Sequence, residues 1–518
     1  MIQDHAPAPG PDGLHTLGRW MTDRCVSTPE RVAIDDRGVR LHYRELERRA
    51  AALAAAFAAA GYRAGDRIGT VTGNSADHVV LFFACAKAGL VLVPLSWRLA
   101  PAELAGQLQL ADPALLLVEH EFDALAAAAL DLLPEPPRTT APGPAGVECL
   151  VPARAGGIPG PVRPVRDHDP LLMVFTSGTE GSSKAAVLTH ANCFWTNLSL
   201  SRTMELSSSD VVLSVLPQFH VGGWNIQPLL AWWTGTTVVL ERHFDAGRVL
   251  ALIAERGVTT MMGVPTQYLM LAEHPGFAAA DLSTLTRAVV GGASMPAPLL
   301  RTWHSRGVAL SQGYGLTEAS PNVLCLPPED AERMLGYAGK PYPHMEIAVA
   351  DPATAALLGG AAVGELWVRG PGVFAGYFRD PAATAATLVD GWLRTGDLVE
   401  RDADGFVKIV DRIKDIYISG GENVTPAQVE AVLLAHPAVA EAAVVGVPDE
   451  RWGETGMAFV VVRTGMATDV QDLLEHCAQR LARFKVPGRI EFVPALPRTA
   501  LNKVARGRLR ARAGAGAA

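Results

Sequence analysis

Along the first part of the chain, short apolar runs alternate with longer alanine- and leucine-rich stretches that end in glycine. Val32 to Asp35 and Val39 to Tyr43 lie on either side of Asp36-Arg37-Gly38, a pattern that predicts a short hairpin. Glu45 to Ala60 has strong helix propensity and stops at Gly61. A strand near Arg67 to Thr72, a helix from Ser75 to Ala88 closed by Gly89, and a buried strand Leu90 to Pro94 follow. This order predicts a layered α/β architecture with largely parallel sheets. Pro134 to Asp169 is crowded with proline and glycine and has no apolar period, so an irregular surface loop is expected there. Beyond Asp411 a new unit of about a hundred residues begins, with a strand at Ala442 to Val447 and a helix near Asp469 to Arg483. The Arg-, Gly- and Ala-rich end, Ala505 to Ala518, reads as a frayed tail.

Composition narrows the function. The chain has 518 residues, 49% hydrophobic and 19% charged, as expected of a multi-domain globular protein. Lys+Arg number 45 against 53 Asp+Glu, a net charge of −8 with no basic block before the last dozen residues, which argues against nucleic acid as a partner. Only 7 of the basic residues are lysine, so each lysine is a candidate for a specific task. The six cysteines are scattered without metal-ligand spacing, which suggests free thiols in a reducing compartment. The first residues carry acid where a secretory signal carries positive charge, and Leu171 to Phe175 is far short of the roughly 20 residues that span a bilayer. No membrane span and a cytoplasmic location are expected.

The apolar run Leu171 to Phe175 leads into Thr176-Ser177-Gly178-Thr179-Glu180-Gly181-Ser182-Ser183-Lys184. Hydroxyls, glycines and a terminal lysine can bring N–H groups and an ammonium together on phosphate oxygens; the alternative is a flexible polar turn. A Walker A loop is disfavoured, because Ser183 stands where that pattern demands glycine and Ala185 follows the lysine. Four further segments follow in order: Gly291-Gly292-Ala293-Ser294, Tyr314-Gly315-Leu316-Thr317-Glu318, Thr395-Gly396-Asp397, and Asp411-Arg412-Ile413-Lys414-Asp415 running on to Ser419-Gly420-Gly421-Glu422-Asn423. Pro497 to Lys503 closes the series. The ordered set resembles the adenylate-forming superfamily, which contains the acyl-CoA synthetases and AMP-dependent CoA ligases, over nearly the whole chain.

The resemblance implies a large N-terminal layered α/β domain that binds AMP and the acyl group, residues 14–411, after a disordered N-terminus, 1–13. A small mobile C-terminal α+β lid, 412–518, would turn on a hinge near Lys414. ATP, Mg²⁺ and coenzyme A are the implied cofactors. By resemblance, Thr176, Ser177, Gly178, Thr179, Glu180, Gly181 and Lys184 close over the β- and γ-phosphates. Thr317 touches the α-phosphate, and Glu318, with Thr176, holds the metal. Tyr314 stacks on adenine beside Gly292 and Ala293, although by itself it reads equally as a core residue. Asp397 takes the ribose hydroxyls with help from Arg412, although alone it reads as a turn residue.

By the same resemblance, Lys503 is expected to bridge the substrate carboxylate and the α-phosphate, a two-oxygen task that suits a compact ammonium. The resemblance also implies that Gly420, Gly421 and Glu422 line the thiol channel. The chain departs from the family pattern at Glu180, Ser183, Asp411 and Asn502. Gln218-Phe219-His220-Val221-Gly222-Gly223-Trp224-Asn225 matches the acyl-pocket segment, with His220 either an aromatic gate or a packed histidine. Its lack of an aspartate at that position points to an acid without an α-amino group. Gly222, Gly223, Gly263, Gly291, Gly292 and Gly315 suggest a roomy pocket.

The expected activity is therefore an ATP-dependent acyl-CoA synthetase acting on a fatty, aryl or bulky cyclic acid through acyl-AMP. The alternatives are a ligase that stops at the adenylate or loads a carrier protein in trans, and a nucleotide-binding pseudoenzyme.

Overall fold

The computed structural model describes residues 12–142, 151–154, 156–157, 163–176, 183–293, 295–419, 422–450, 452–499 and 503–515. The disordered segment expected at 1–13 lies almost wholly outside them. The hairpin, the two helices and the buried strand read near the N-terminus all form, as Val32–Asp36 with Val39–His42, Tyr43–Ala59, Ala76–Ala88 and Val91–Leu95. Ser75 caps the second helix by accepting a hydrogen bond from the His78 N–H, and Gly89 closes it in the left-handed region at φ 68°.

A nine-stranded sheet runs in the order Lys340–Pro341, Leu324–Leu326, Ala309–Tyr314, Arg287–Gly291, Thr260–Gly263, Val211–Ser214, Thr237–Leu240, Val32–Asp36, Val39–His42. Six consecutive strands of it, from Ala309–Tyr314 to Val32–Asp36, are mutually parallel. Their carboxyl ends therefore share one edge, where open α/β sheets bind ligands. A seven-stranded sheet contains Gly376–Tyr377, Lys184–Thr189, Pro170–Thr176, Val91–Leu95, Arg67–Val71, Leu115–Val118 and Thr139–Thr140. A six-stranded sheet is built on Ala362–Arg369, Trp392–Arg401 and Val407–Arg412.

The chain divides into two compact units, one of residues up to 347 with 368–394, the other of 348–367 with 395 onward. The second unit thus takes in 348–367 and 395–411 as well as the segment expected from 412. Its five-stranded sheet pairs Val439–Asp449 with Gly453–Val462, and these strands are longer than the apolar run Ala442 to Val447 suggested.

Both faces of that sheet are covered. Val444 and Val460 pack with Val429, Leu433, Leu473 and Cys477 on one side, whereas Val445 and Phe459 pack with Val493, Leu496, Leu509 and Ala513 on the other. This overturns the frayed tail: Arg506–Ala515 is a helix, with Leu509 and Ala513 buried. Two apolar residues four apart make a stripe too narrow to stand out among arginines. Without them the outer face of Val445 and Phe459 would meet water.

Candidate functional site

The carboxyl edge of the nine-stranded sheet collects six of the first unit's expected residues. Val211–Ser214 leads to His220, Arg287–Gly291 to Gly292 and Ala293, and Ala309–Tyr314 ends on Tyr314 with Thr317 and Glu318 in the short helical turn that follows. Val323 N–H donates to Tyr314 O and Asn322 Nδ2 donates to Thr196 Oγ1, closing the loop behind that turn. Thr317 is buried and Glu318 half-buried. His220 Nδ1 accepts the Gly222 N–H at 3.2 Å, so its neutral tautomer carries the proton on Nε2. Gln218 is fixed from below, its amide oxygen taking the Ser75 N–H at 3.1 Å and its carbonyl the Trp224 indole N–H at 2.6 Å.

The phosphate-loop segment joins two antiparallel strands, Pro170–Thr176 and Lys184–Thr189, in which Thr176 and Lys184 are register partners. Ser177, Gly178, Thr179, Glu180 and Gly181 lie outside the described residues. Ser183 Oγ receives a hydrogen bond from Gln107 Nε2 at 3.2 Å. The Lys184 ammonium stands 5.1 Å from the centroid of the Tyr377 ring, and Tyr377 OH donates to Glu318 Oε1 at 2.8 Å. The structure thus brings Lys184 over the ring and Glu318 to the hydroxyl of one tyrosine, a residue that none of the segments read above contains.

A magnesium ion fits these donors. Tyr377 occupies Oε1 of Glu318, and Oε2 keeps its lone pairs among the described residues. The described residues hold no cluster of three His, Cys, Asp or Glu. A lone carboxylate sharing its ion with phosphate oxygens and water is how proteins hold hard, reluctantly dehydrated Mg²⁺.

Three of the six glycines expected to give a roomy pocket are closed in by backbone. A Cβ on Gly315 would sit 1.4 Å from the Pro321 carbonyl oxygen, on Gly223 2.3 Å from Pro217 O, and on Gly291 2.9 Å from Gly313 O. These glycines let backbone approach backbone; they do not widen a cavity. Gly292, at φ +80°, turns the chain off the sheet edge. One cavity lined by Gly222, Ile226 and Met262 has a volume of about 10 Å³.

In the second unit Asp397 and Arg412 are cross-strand partners, with Arg412 Nε 2.5 Å from Asp397 Oδ1. Asp397 is buried, at 3% exposure. Its corner is held by Glu365, also buried, which accepts the Gly396 N–H at 3.1 Å and the Trp367 indole N–H at 3.0 Å. Sequence reasoning missed Glu365, which lies 31 residues before Gly396 and belongs to no motif. Burial lowers the Lys414 pKa from its ordinary value.

Glu422 is exposed and is the register partner of Ser419 in an antiparallel strand pair; Gly420 and Gly421 lie outside the described residues. The Lys503 side chain is exposed while its backbone is tied at both groups, the carbonyl taking the Thr499 N–H at 2.7 Å and the N–H reaching Thr499 Oγ1 at 3.3 Å. Asn502 lies outside the described residues. Among the described residues no helix is long and apolar enough to cross a membrane.

Known proteins resemble this chain over nearly its whole length. Residues 21–378 match the AMP-binding enzyme family and residues 428–503 the AMP-binding enzyme C-terminal domain. A feruloyl-CoA synthase from an Amycolatopsis species is 39% identical over 501 residues, 96% of this chain and 99% of its own length. A fatty acid–acyl-carrier-protein ligase from Streptomyces coeruleorubidus is 37% identical over 518 residues, with 96% of each chain covered. The structure of o-succinylbenzoate coenzyme A synthetase from Bacillus subtilis, in complex with ATP and magnesium ion, matches with a TM-score of 0.85 at 30% identity, over 95% of this chain and 98% of that one. With both family segments in order and relatives aligned along nearly its whole length, the chain belongs to the AMP-binding enzyme family of adenylate-forming acid–thiol ligases.

Proposed function

We propose that this ligase activates an aromatic carboxylic acid of the arylpropenoate kind as its acyl-AMP and passes the acyl group to the thiol of coenzyme A. The observation that carries this reading is the identity of 39% to a feruloyl-CoA synthase, spread over 96% of the chain. Two features of the chain agree with it. The segment Gln218 to Asn225 offers no carboxylate to pair with a substrate ammonium. Gly223 is consumed by backbone packing and a Cβ on Gly222 would meet the side chains of His220, Leu216 and Ile226, which suits a flat ring better than a bulky cyclic acid.

A carboxylate and a triphosphate repel each other, so the first step needs neutralisation and alignment more than a base. Bound magnesium supplies part of that neutralisation at the phosphate oxygens. Glu318 is the carboxylate that would hold it, and Lys184 adds a cation from the phosphate loop. Tyr314, at the end of its strand, offers a ring face to adenine beside Gly292 and Ala293. Asp397, oriented by its ion pair with Arg412, accepts the ribose hydroxyls. Lys503 spans the substrate carboxylate and the α-phosphate while the carboxylate oxygen bonds to the α-phosphorus and the bond to pyrophosphate breaks. In the second step the coenzyme A sulfur bonds to the acyl carbon, the bond to AMP breaks, and the thiol proton passes to solvent. Glu422 and its flanking glycines serve that approach.

A second reading, transfer to a carrier-protein thiol, is favoured by the 37% identity to a fatty acid–acyl-carrier-protein ligase. ATP–pyrophosphate exchange over hydroxycinnamic, arylacetic and fatty acids tests the acid class. Exchange is expected to peak with hydroxycinnamates and to vanish in Lys503→Ala, which still forms thioester from supplied acyl-AMP. Peak exchange with fatty acids, or wild-type exchange in Lys503→Ala, would overturn the assignment it concerns.

A further inference from the structure

We infer that Tyr377 is a positioning residue that sets the metal carboxylate and the phosphate-loop lysine relative to each other. The inference rests on the assignment of Glu318 to the metal made above. One side chain reaches both groups, its hydroxyl 2.8 Å from Glu318 Oε1 and its ring centroid 5.1 Å from Lys184 Nζ.

The tyrosine is itself held firmly. It ends the short strand Gly376–Tyr377, which pairs antiparallel with Lys184–Thr189 at Val187 and Ala186. Tyr377 N–H donates to Thr384 Oγ1 at 2.9 Å, and the flanking Ala375 and Phe378 N–H groups donate to Val187 and Ala185 carbonyls. The Phe374 ring meets the Tyr377 ring edge-on at 4.9 Å, and Phe374 N–H donates to the Glu318 carbonyl at 2.9 Å. The same five-residue segment therefore grips the strand that starts at Lys184 and the turn that carries Glu318.

The chemistry follows from the two contacts. A hydrogen bond to one carboxylate oxygen fixes the plane of the carboxylate and leaves the other oxygen as ligand, the role outer partners play at metal sites. The ring face holds the Lys184 ammonium by cation–π attraction without neutralising it, so its charge stays available to phosphate. An acidic partner in the same place would hold the lysine more tightly but would cancel that charge. A tyrosine does both tasks at once.

The full-length protein tests this with Mn²⁺ as a spectroscopic substitute, free Mn²⁺ being read by electron paramagnetic resonance in the presence of ATP, and metal-free ATP binding being read by calorimetry. Tyr377→Phe keeps the ring and removes the hydroxyl. It is expected to weaken Mn²⁺ binding in the nucleotide complex by roughly tenfold or more, with metal-free ATP affinity within about twofold of wild type. Tyr377→Leu is expected to weaken metal-free ATP binding as well, because Lys184 loses its ring. Melting curves establish that each variant is folded.

Wild-type Mn²⁺ affinity in Tyr377→Phe, with weakened affinity in Glu318→Gln, overturns the role of Tyr377 alone. Wild-type affinity in both variants overturns the assignment of Glu318 and the inference with it. Equal loss of metal-free ATP affinity in the Phe and Leu variants also overturns it, since a general structural defect would produce that pattern.

Discussion

At Gly315 a methyl group has nowhere to go, because its carbon would lie 1.4 Å from the Pro321 carbonyl oxygen. The turn that carries Thr317 and Glu318 starts there, so an added side chain must displace both residues. Gly315→Ala is therefore expected to slow ATP–pyrophosphate exchange by about a hundredfold, the usual cost of moving reacting groups by an ångström. Gly359→Ala, with nothing within 4 Å of the new carbon, should exchange at the wild-type rate, and equal rates in both variants would contradict the packing role given to Gly315. Thr317, Glu318, Asp397 and Lys503 are singled out by the sequence because their neighbours form compact motifs. Tyr377, Gln107 and Glu365 are not, because each acts from a strand or helix distant in sequence and is an ordinary residue in its own segment. The purpose of the glycines also needed coordinates: a glycine that opens a pocket and one that lets two backbones touch read alike along a chain.

Elements were legible where burial covers a whole strand or a broad helix face. Val91–Leu95 is buried at every position, and Tyr43–Ala59 buries Leu46, Ala50, Leu53 and Phe57 on one face. The helix Arg506–Ala515 was missed because its apolar stripe is two residues wide and the rest of it is arginine, glycine and alanine. Arg506 anchors the start of that helix, with Nη1 2.5 Å from Glu430 Oε1, Nη2 3.0 Å from Glu430 Oε2, and a further bond to the Val444 carbonyl at 2.8 Å. Removing it leaves the mostly buried Glu430 carboxylate without its forked partner. Arg506→Ala is expected to lower unfolding free energy by about 3 kcal/mol, measured by denaturant titration, with Arg506→Lys intermediate because an ammonium cannot copy the fork. No change in midpoint would show that the pair is incidental.

On the scale of the whole molecule, stability should depend on pH through two enclosed imidazoles. Burial pushes His78 and His190 down to about 4 from 6.5. The unfolded chain takes up protons between those values that the native rings refuse, so stability is present above about pH 6.5 and is lost as pH falls toward 4. Each ring contributes roughly 3 kcal/mol to that loss. Asp411 and Glu241, raised by burial, act in the opposite sense, and the larger displacement of the imidazoles sets the net direction. A melting temperature that holds steady between pH 6.5 and 4.5 would contradict this. Fold class and reaction type were readable from ordered motifs spread along the chain, whereas the acid they serve is set by side-chain shapes that no motif spells out. The most direct test of the central claim is AMP release by the wild-type enzyme with ATP, magnesium and ferulate, measured with and without coenzyme A. Turnover that requires both the acid and coenzyme A, and yields the aryl thioester, is the predicted result. AMP release that ignores coenzyme A, or that appears only with an acyl carrier protein, would contradict it.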